Sequence, residues 1–189
     1  AAYLARQIAT APLLAARAVS SRELWLLQLE KLVVNASINP LTAILRCRNS
    51  GLFDGGDGGP VARVMDRLLG ETSAVLQALV AHESTAQILL AAGDADGCGV
   101  DAARDRFSLP RLRGMLHAFG PRVGANTSSM LQDVQAGRQT EVRDFNGWLV
   151  DTAAFLDKGL DVSTHRALVD MVESGTVLSK EELGERLLV

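Results

Sequence analysis

Residues 31–40 read KLVVNASINP, and the reading of this stretch decides the fold. Lys31, Asn35 and Asn39 recur at steps of four. An α-helix turns about 100° per residue, so each step of four rotates a side chain by roughly 40°. The three polar groups then share one narrow stripe about 12 Å long, at about 1.5 Å of rise per residue. Leu29, Leu32, Val33, Val34 and Ile38 surround the stripe and suit burial in protein. Buried polar groups are costly unless hydrogen-bonded. An amine and two amides in a row therefore suit a cleft where a polar ligand docks. A plainer reading exists: asparagine can bond back to its own helix or cap the next segment, and lysine can extend its head to water. On pattern alone the plainer reading is favoured.

The rest of the chain agrees with helix. Aromatic residues make up only 4 % of the 189 residues, and alternating β-branched runs are nearly absent. Ala, Leu, Arg, Glu and Gln dominate, with apolar positions spaced by three and four. At 48 % hydrophobic the chain can build a core and is not disordered. A net charge of −3 gives no electrostatic case for nucleic acid or an anionic membrane. Apolar runs such as Ile88–Ala92 are far too short to span a bilayer. Cys47 and Cys98 lack disulfide or metal spacing and read as reduced thiols. His82, His117 and His165 lie far apart in sequence, so no metal site is expected.

Expected elements follow from caps and breakers. A short helix covers residues 2 to 9, and Pro12 starts another turn. Ser20 or Ser21 with Glu23 caps a long helix that reaches Ile38. Asn39-Pro40 reads as a cap and first helical residue that restarts or kinks the helix through Leu45, with Asn49-Ser50-Gly51 as its stop. DGGDGG at 54–59 is a loop, with neither the Gly-Lys-Ser/Thr nor the preceding strand of a phosphate cradle. Pro60 opens a helix to about residue 92, followed by a polar loop over 93–99 and a helix over 109–119. Thr127, Ser128 and Ser129 begin another helix, and Gly137 breaks the turn after it. Thr140 starts a further helix with Glu141 in its first turn, where the macrodipole favours a carboxylate. The last helices cover 163–174 and 179–187, the latter capped by Ser179. No glycine fingerprint of a dinucleotide-binding βαβ unit occurs.

The combination KLVVNASINPLTAI, SSMLQDVQAGRQTE and FNG resembles the C-terminal domain of ketopantoate reductase (2-dehydropantoate 2-reductase). The resemblance covers roughly residues 20 to 172. It implies an all-α fold, the multi-helix C-terminal domain of the 6-phosphogluconate-dehydrogenase-like type. Residues 1–20 would be a lead-in or hinge segment and residues 21–189 the helical substrate-binding and catalytic domain. An N-terminal Rossmann domain, absent from the chain, would hold most of the NADPH, so this chain alone is expected to lack reductase activity. The implied reaction reduces ketopantoate, or a similar 2-keto acid, to the (R)-hydroxy acid, on the route to pantothenate and coenzyme A. A recruited non-catalytic helical subunit is the alternative.

By resemblance, Lys31 is the general acid that protonates the ketone oxygen as hydride arrives. Hydride addition leaves an alkoxide, which an ammonium both stabilises and protonates. Burial in an apolar helix face would make such an amine a better acid. Asn35 and Asn39 would bind substrate oxygens, and Ser129, with Ser128 as second choice, the carboxylate. Glu141 would contact substrate and help hold the lysine. Each has a plainer reading: Ser129 and Asn39 as caps, Glu141 as a dipole partner. Asn146-Gly147 fit the family's Asn-Gly pair, with Gly147 expected to let two helices approach. Arg143 stands where the family usually has an acid. Family members occur as monomers and as assemblies through this domain, so a homo-oligomer is open. The expected compartment is the cytoplasm, with the mitochondrion as alternative, because the opening 22 residues hold arginines and no acid.

Overall fold

The computed structural model describes residues 2–56, 58–90, 99–156 and 159–188. Every regular element among them is helical. Helix α1 (Ala2–Thr10) and a 3₁₀ turn (Pro12–Leu14) lead into α2 (Ser21–Leu45). Then come α3 (Pro60–Val80), α4 (Ala86–Leu90), α5 (Val100–Arg106), α6 (Leu109–Val123), α7 (Ser129–Gln135), α8 (Trp148–Leu156), α9 (Ser163–Glu173) and α10 (Lys180–Leu187). The all-α expectation is met.

The long helices α2 and α3 are the frame. Helix α3 touches α5, α6, α8, α9 and α10, while α2 touches α7 and α9 and also packs against α3. Val33, Ala36, Leu41 and Ile44 of α2 and Val64, Leu68, Val75 and Leu76 of α3 are buried completely. Together with Phe107, Leu116 and Leu168 they form one continuous core, whose burial is the main favourable contribution to folding. At its N-terminal end α2 is held from outside the core. Arg106 of α5 donates from Nε to Glu30 at 2.7 Å and from Nη1 to Glu23 at 2.9 Å. That hydrogen bond holds the Glu23 carboxyl below its usual pKa.

Capping follows the sequence at three helix starts. Ser20 accepts from the Glu23 N–H, Ser128 from the Leu131 N–H, and Ser179 forms a full capping box with Glu182. Four expectations change. First, α2 does not break at Asn39-Pro40. It runs unbroken to Leu45 and ends at Arg46 in the left-handed conformation, φ 51°. Second, α3 ends at Val80. A turn with His82 accepting from the Ser84 N–H separates it from α4. The loop placed over 93–99, with Cys98, lies almost wholly outside the described residues. Third, no helix starts at Thr140. The chain enters helix at Val142 and passes at once through a π-turn, Arg143–Gly147. Fourth, Gly147 makes no close helix contact. A Cβ there would meet only the Arg143 side chain of its own turn, at 3.4 Å. Close approaches occur instead at Gly184 of α10, where a Cβ would sit 2.8 Å from Pro60 of α3, and at Gly120, 2.5 Å from the ring of Phe53. Helix α5 was not foreseen.

Candidate active site

Helix α2 carries the polar stripe through the middle of the fold. Lys31 is exposed, Asn35 half-buried, and Asn39 buried at 8 % exposure. The stripe therefore sinks from the surface towards the core along one helix. The apolar burial expected around the Lys31 amine is not present in this chain.

Thr42 continues the stripe at its C-terminal end, about 60° from Asn39 at 100° per residue. Its hydroxyl lies 2.6 Å from that of Ser128, the N-cap of α7. This bond seats the start of α7 on α2 and places Ser129, exposed in the first turn, at the same end of the stripe. Ser128 is thus engaged twice, by Thr42 and by the Leu131 N–H at 3.1 Å. It is a structural cap, and Ser129 is the free hydroxyl of the pair.

Glu141 stands just ahead of the π-turn. Its carbonyl accepts from the N–H groups of Asp144 and Phe145 while its carboxylate is exposed. The π-turn packs against α2. Glu141 and Lys31 make no ion pair with each other among the described residues. Arg143, two residues on, pairs through Nη2 with Glu173 of α9 at 2.6 Å.

Structure thus gathers Asn35, Asn39 and Ser129 at the C-terminal half of α2, with Glu141 on the adjoining turn. Lys31 lies about 16 Å along the axis from Thr42. Among the described residues, the side chains of Lys31, Asn35, Asn39, Ser129 and Glu141 make no hydrogen bond or ion pair. Five uncommitted polar groups along one helix and its flank are an arrangement that can receive a ligand rich in oxygens.

Against α2 sits a polar cluster that sequence reasoning missed. Asn146, in the π-turn, donates from Nδ2 to the Ala36 carbonyl at 2.9 Å and lies 3.0 Å from His165 Nδ1. His165 Nε2 lies 2.9 Å from Thr72 Oγ1. Glu71 of α3 accepts from the N–H groups of Thr164 and His165, at 3.1 and 3.2 Å, and so caps α9 from another helix. Asn146 and His165 are wholly buried. Burial pushes the His165 pKa down to about 4, so the ring is neutral. Burial also pushes the Glu71 carboxyl up, against the two N–H donors. The sequence carries no local signal for it: Asn146 follows Arg143 and Asp144, and His165 lies between Thr164 and Arg166.

Cavities elsewhere are lined by other residues. One, of about 330 Å³, lies between Phe53, Met65, Leu69, Leu116 and His117. The half-buried thiol of Cys47 is pushed up by desolvation, which keeps it in the unreactive form.

Fold and site together define an all-helical domain that presents an uncommitted polar face. The chain belongs to the ketopantoate reductase family: the family model described as ketopantoate reductase PanE/ApbA C terminal matches residues 23–175. Members of this family are oxidoreductases. The chain is 49 % identical over 196 residues to ketoisovalerate reductase BEA2 of Gibberella fujikuroi, covering 98 % of this chain and 43 % of that protein. It is 44 % identical over 201 residues to the ketoisovalerate reductase of Beauveria bassiana, covering 98 % and 44 %. A probable 2-dehydropantoate 2-reductase of Schizosaccharomyces pombe is 26 % identical over 176 residues, covering 93 % and 45 %. The chain spans less than half the length of these relatives.

Proposed function

We propose that the protein containing this chain is an NADPH-dependent reductase of a branched 2-keto acid, and that this chain is its substrate-binding and catalytic half. The observation that carries the reading is the uncommitted set Lys31, Asn35, Asn39, Ser129 and Glu141 along α2 and its flank. A small keto acid offers one carboxylate and one ketone oxygen. The Ser129 hydroxyl and the asparagine amides are donors for a carboxylate. The Lys31 ammonium is the donor for the ketone oxygen. When bound, NADPH supplies the hydride, and none of the residues named here is assigned to hold it. As the ketone carbon gains hydride, its oxygen gains charge. Lys31 stabilises that charge and gives up its proton to form the alcohol. Glu141 lies on the adjoining turn, with its carboxylate free to orient substrate or amine.

Two substrates stand out. Ketoisovalerate is favoured by the two relatives that match nearly the whole chain at 49 % and 44 % identity. Ketopantoate, reduced to (R)-pantoate for coenzyme A, is the second reading, favoured by the matching family model. Residues 1–20 fit a lead-in from a preceding nucleotide-binding domain. Tyr3, at 76 % exposure, and Leu13, fully exposed, are large apolar side chains uncovered by the rest of the chain. No helix among the described residues is long and apolar enough to cross a membrane, and the cytoplasm is the proposed compartment.

The test is NADPH oxidation by the intact parent protein with each acid in turn. Turnover of ketoisovalerate with a kcat/KM at least about tenfold above that of ketopantoate supports the first substrate. The reverse ratio supports the second. An intact protein inert towards both would leave a recruited, non-catalytic helical subunit.

A further inference from the structure

Pro40 sits inside α2 without breaking it. A proline has no N–H, so the carbonyl four residues earlier loses its helical partner. Here that carbonyl is Ala36, and it is buried. It is not left unpaired. Asn146 Nδ2 reaches it across the interface at 2.9 Å. A carbonyl can only accept, so the nitrogen end of the amide must face it. The second N–H of the same nitrogen then points to His165 Nδ1 at 3.0 Å, which fixes the ring proton on Nε2. That proton faces Thr72 Oγ1 at 2.9 Å, with the Leu68 carbonyl at 3.3 Å. Asn146 Oδ1 has no partner among the described residues. The amide is therefore held by its nitrogen alone, and that nitrogen is wholly given to Ala36 and His165.

The place of this bond matters. Ala36 follows Asn35, and Pro40 follows Asn39. The bond spans the one turn of α2 that carries both amides of the stripe. Its other end is in the π-turn that begins two residues after Glu141. The extra residue of a π-turn is what shifts a side chain out of α-helical register.

We infer that Asn146 is a positioning residue: its amide supplies the hydrogen bond that Pro40 cannot make, and so fixes the Asn35–Asn39 turn against the Glu141 segment. The role at a reductase site rests on the function proposed above. The bond itself does not. Thr72 and His165 hold the amide in its orientation from α3 and α9.

A double-mutant cycle on the intact parent protein tests this, with Asn146→Ala, Pro40→Ala and the two combined. Alanine at position 40 restores an N–H for the Ala36 carbonyl. Asn146→Ala is expected to lower Tm and raise KM for the 2-keto acid about tenfold, with KM for NADPH within about twofold of wild type. Pro40→Ala alone is expected to change Tm little. The combined variant is expected to recover most of the loss in both Tm and KM. If Asn146→Ala is insoluble alone, soluble combined protein supports the inference and insoluble combined protein overturns it. Losses that simply add overturn it, as does an Asn146→Ala variant with wild-type KM. If the wild type reduces no 2-keto acid, the function reading falls and the site-positioning role falls with it, while the Tm coupling separately decides whether Asn146 replaces the proline N–H.

Discussion

Two sets of polar residues around α2 solve opposite problems. In the bonded set, Asn146, His165, Thr72 and Glu71 are buried and tied to one another or to backbone. In the uncommitted set, Lys31, Asn35, Asn39, Ser129 and Glu141 carry comparable chemistry and make no such bond among the described residues. A buried polar group must be satisfied at once, because leaving it unpaired costs about 1–3 kcal/mol. A group that water or a ligand can reach carries no such cost. The bonded set therefore serves the fold, and the uncommitted set holds the candidates for receiving a ligand.

Substitutions can break that contrast, and the largest effect is expected in the uncommitted set. Lys31→Ala in the intact parent should lower kcat by about 10²–10⁴-fold, the range of a lost general acid. Its Tm should stay close to wild type, because the residue is exposed. Steady-state kinetics beside a melting curve checks both halves. A large fall in Tm with unchanged kcat would reverse the assignment of the two sets.

The bonded set should answer to pH. His165 titrates in the fold at about 4 against 6.5 ordinarily, lowered by burial. The unfolded chain therefore takes up the proton first. Stability from the neutral ring is present above about pH 6.5 and is lost as pH falls towards 4, amounting to about 3 kcal/mol. Glu71 acts in the opposite sense. Burial raises its pKa, so it lends stability at low pH that is lost as pH rises through its folded value. Arg67, at 3.6 Å from Glu71, is the facing cation. Urea unfolding of wild type and His165→Gln across pH 4–7 isolates the histidine, since Glu71 and Arg67 are common to both. The variant should be less stable at pH 7 and lose less on acidification. Parallel curves would refute the histidine as the source.

The smallest effect sharpens the contrast within one dipeptide. Ser128→Ala removes the cap of α7 and the bond to Thr42 and should cost about 1 kcal/mol in stability. Ser129→Ala should cost almost none, yet raise KM for the keto acid several-fold. Equal effects of the two on KM would mean that α7 as a whole, and not the Ser129 hydroxyl, governs binding.

Much of this was readable one element at a time. The period of three and four, the Ser179 cap and the Lys31/Asn35/Asn39 stripe are local properties, set by residues within a turn or two of each other. Two of the misreadings share a cause. Asn39-Pro40 looks like a boundary because a proline costs a hydrogen bond, and local sequence cannot display the Asn146 amide, 110 residues away, that supplies it. The Thr140 start failed for a similar reason: a π-turn packed on α2 took the place of an ordinary first helical turn. That Ser128 is spent on the fold needed its contact with Thr42, 86 residues distant. Residue types and their spacing were enough to specify an all-helical chain and the side chains that bear chemistry. Which of those are spent on holding the fold, and which remain free, was decided only when distant segments met, because hydrogen-bond satisfaction depends on every neighbour in space.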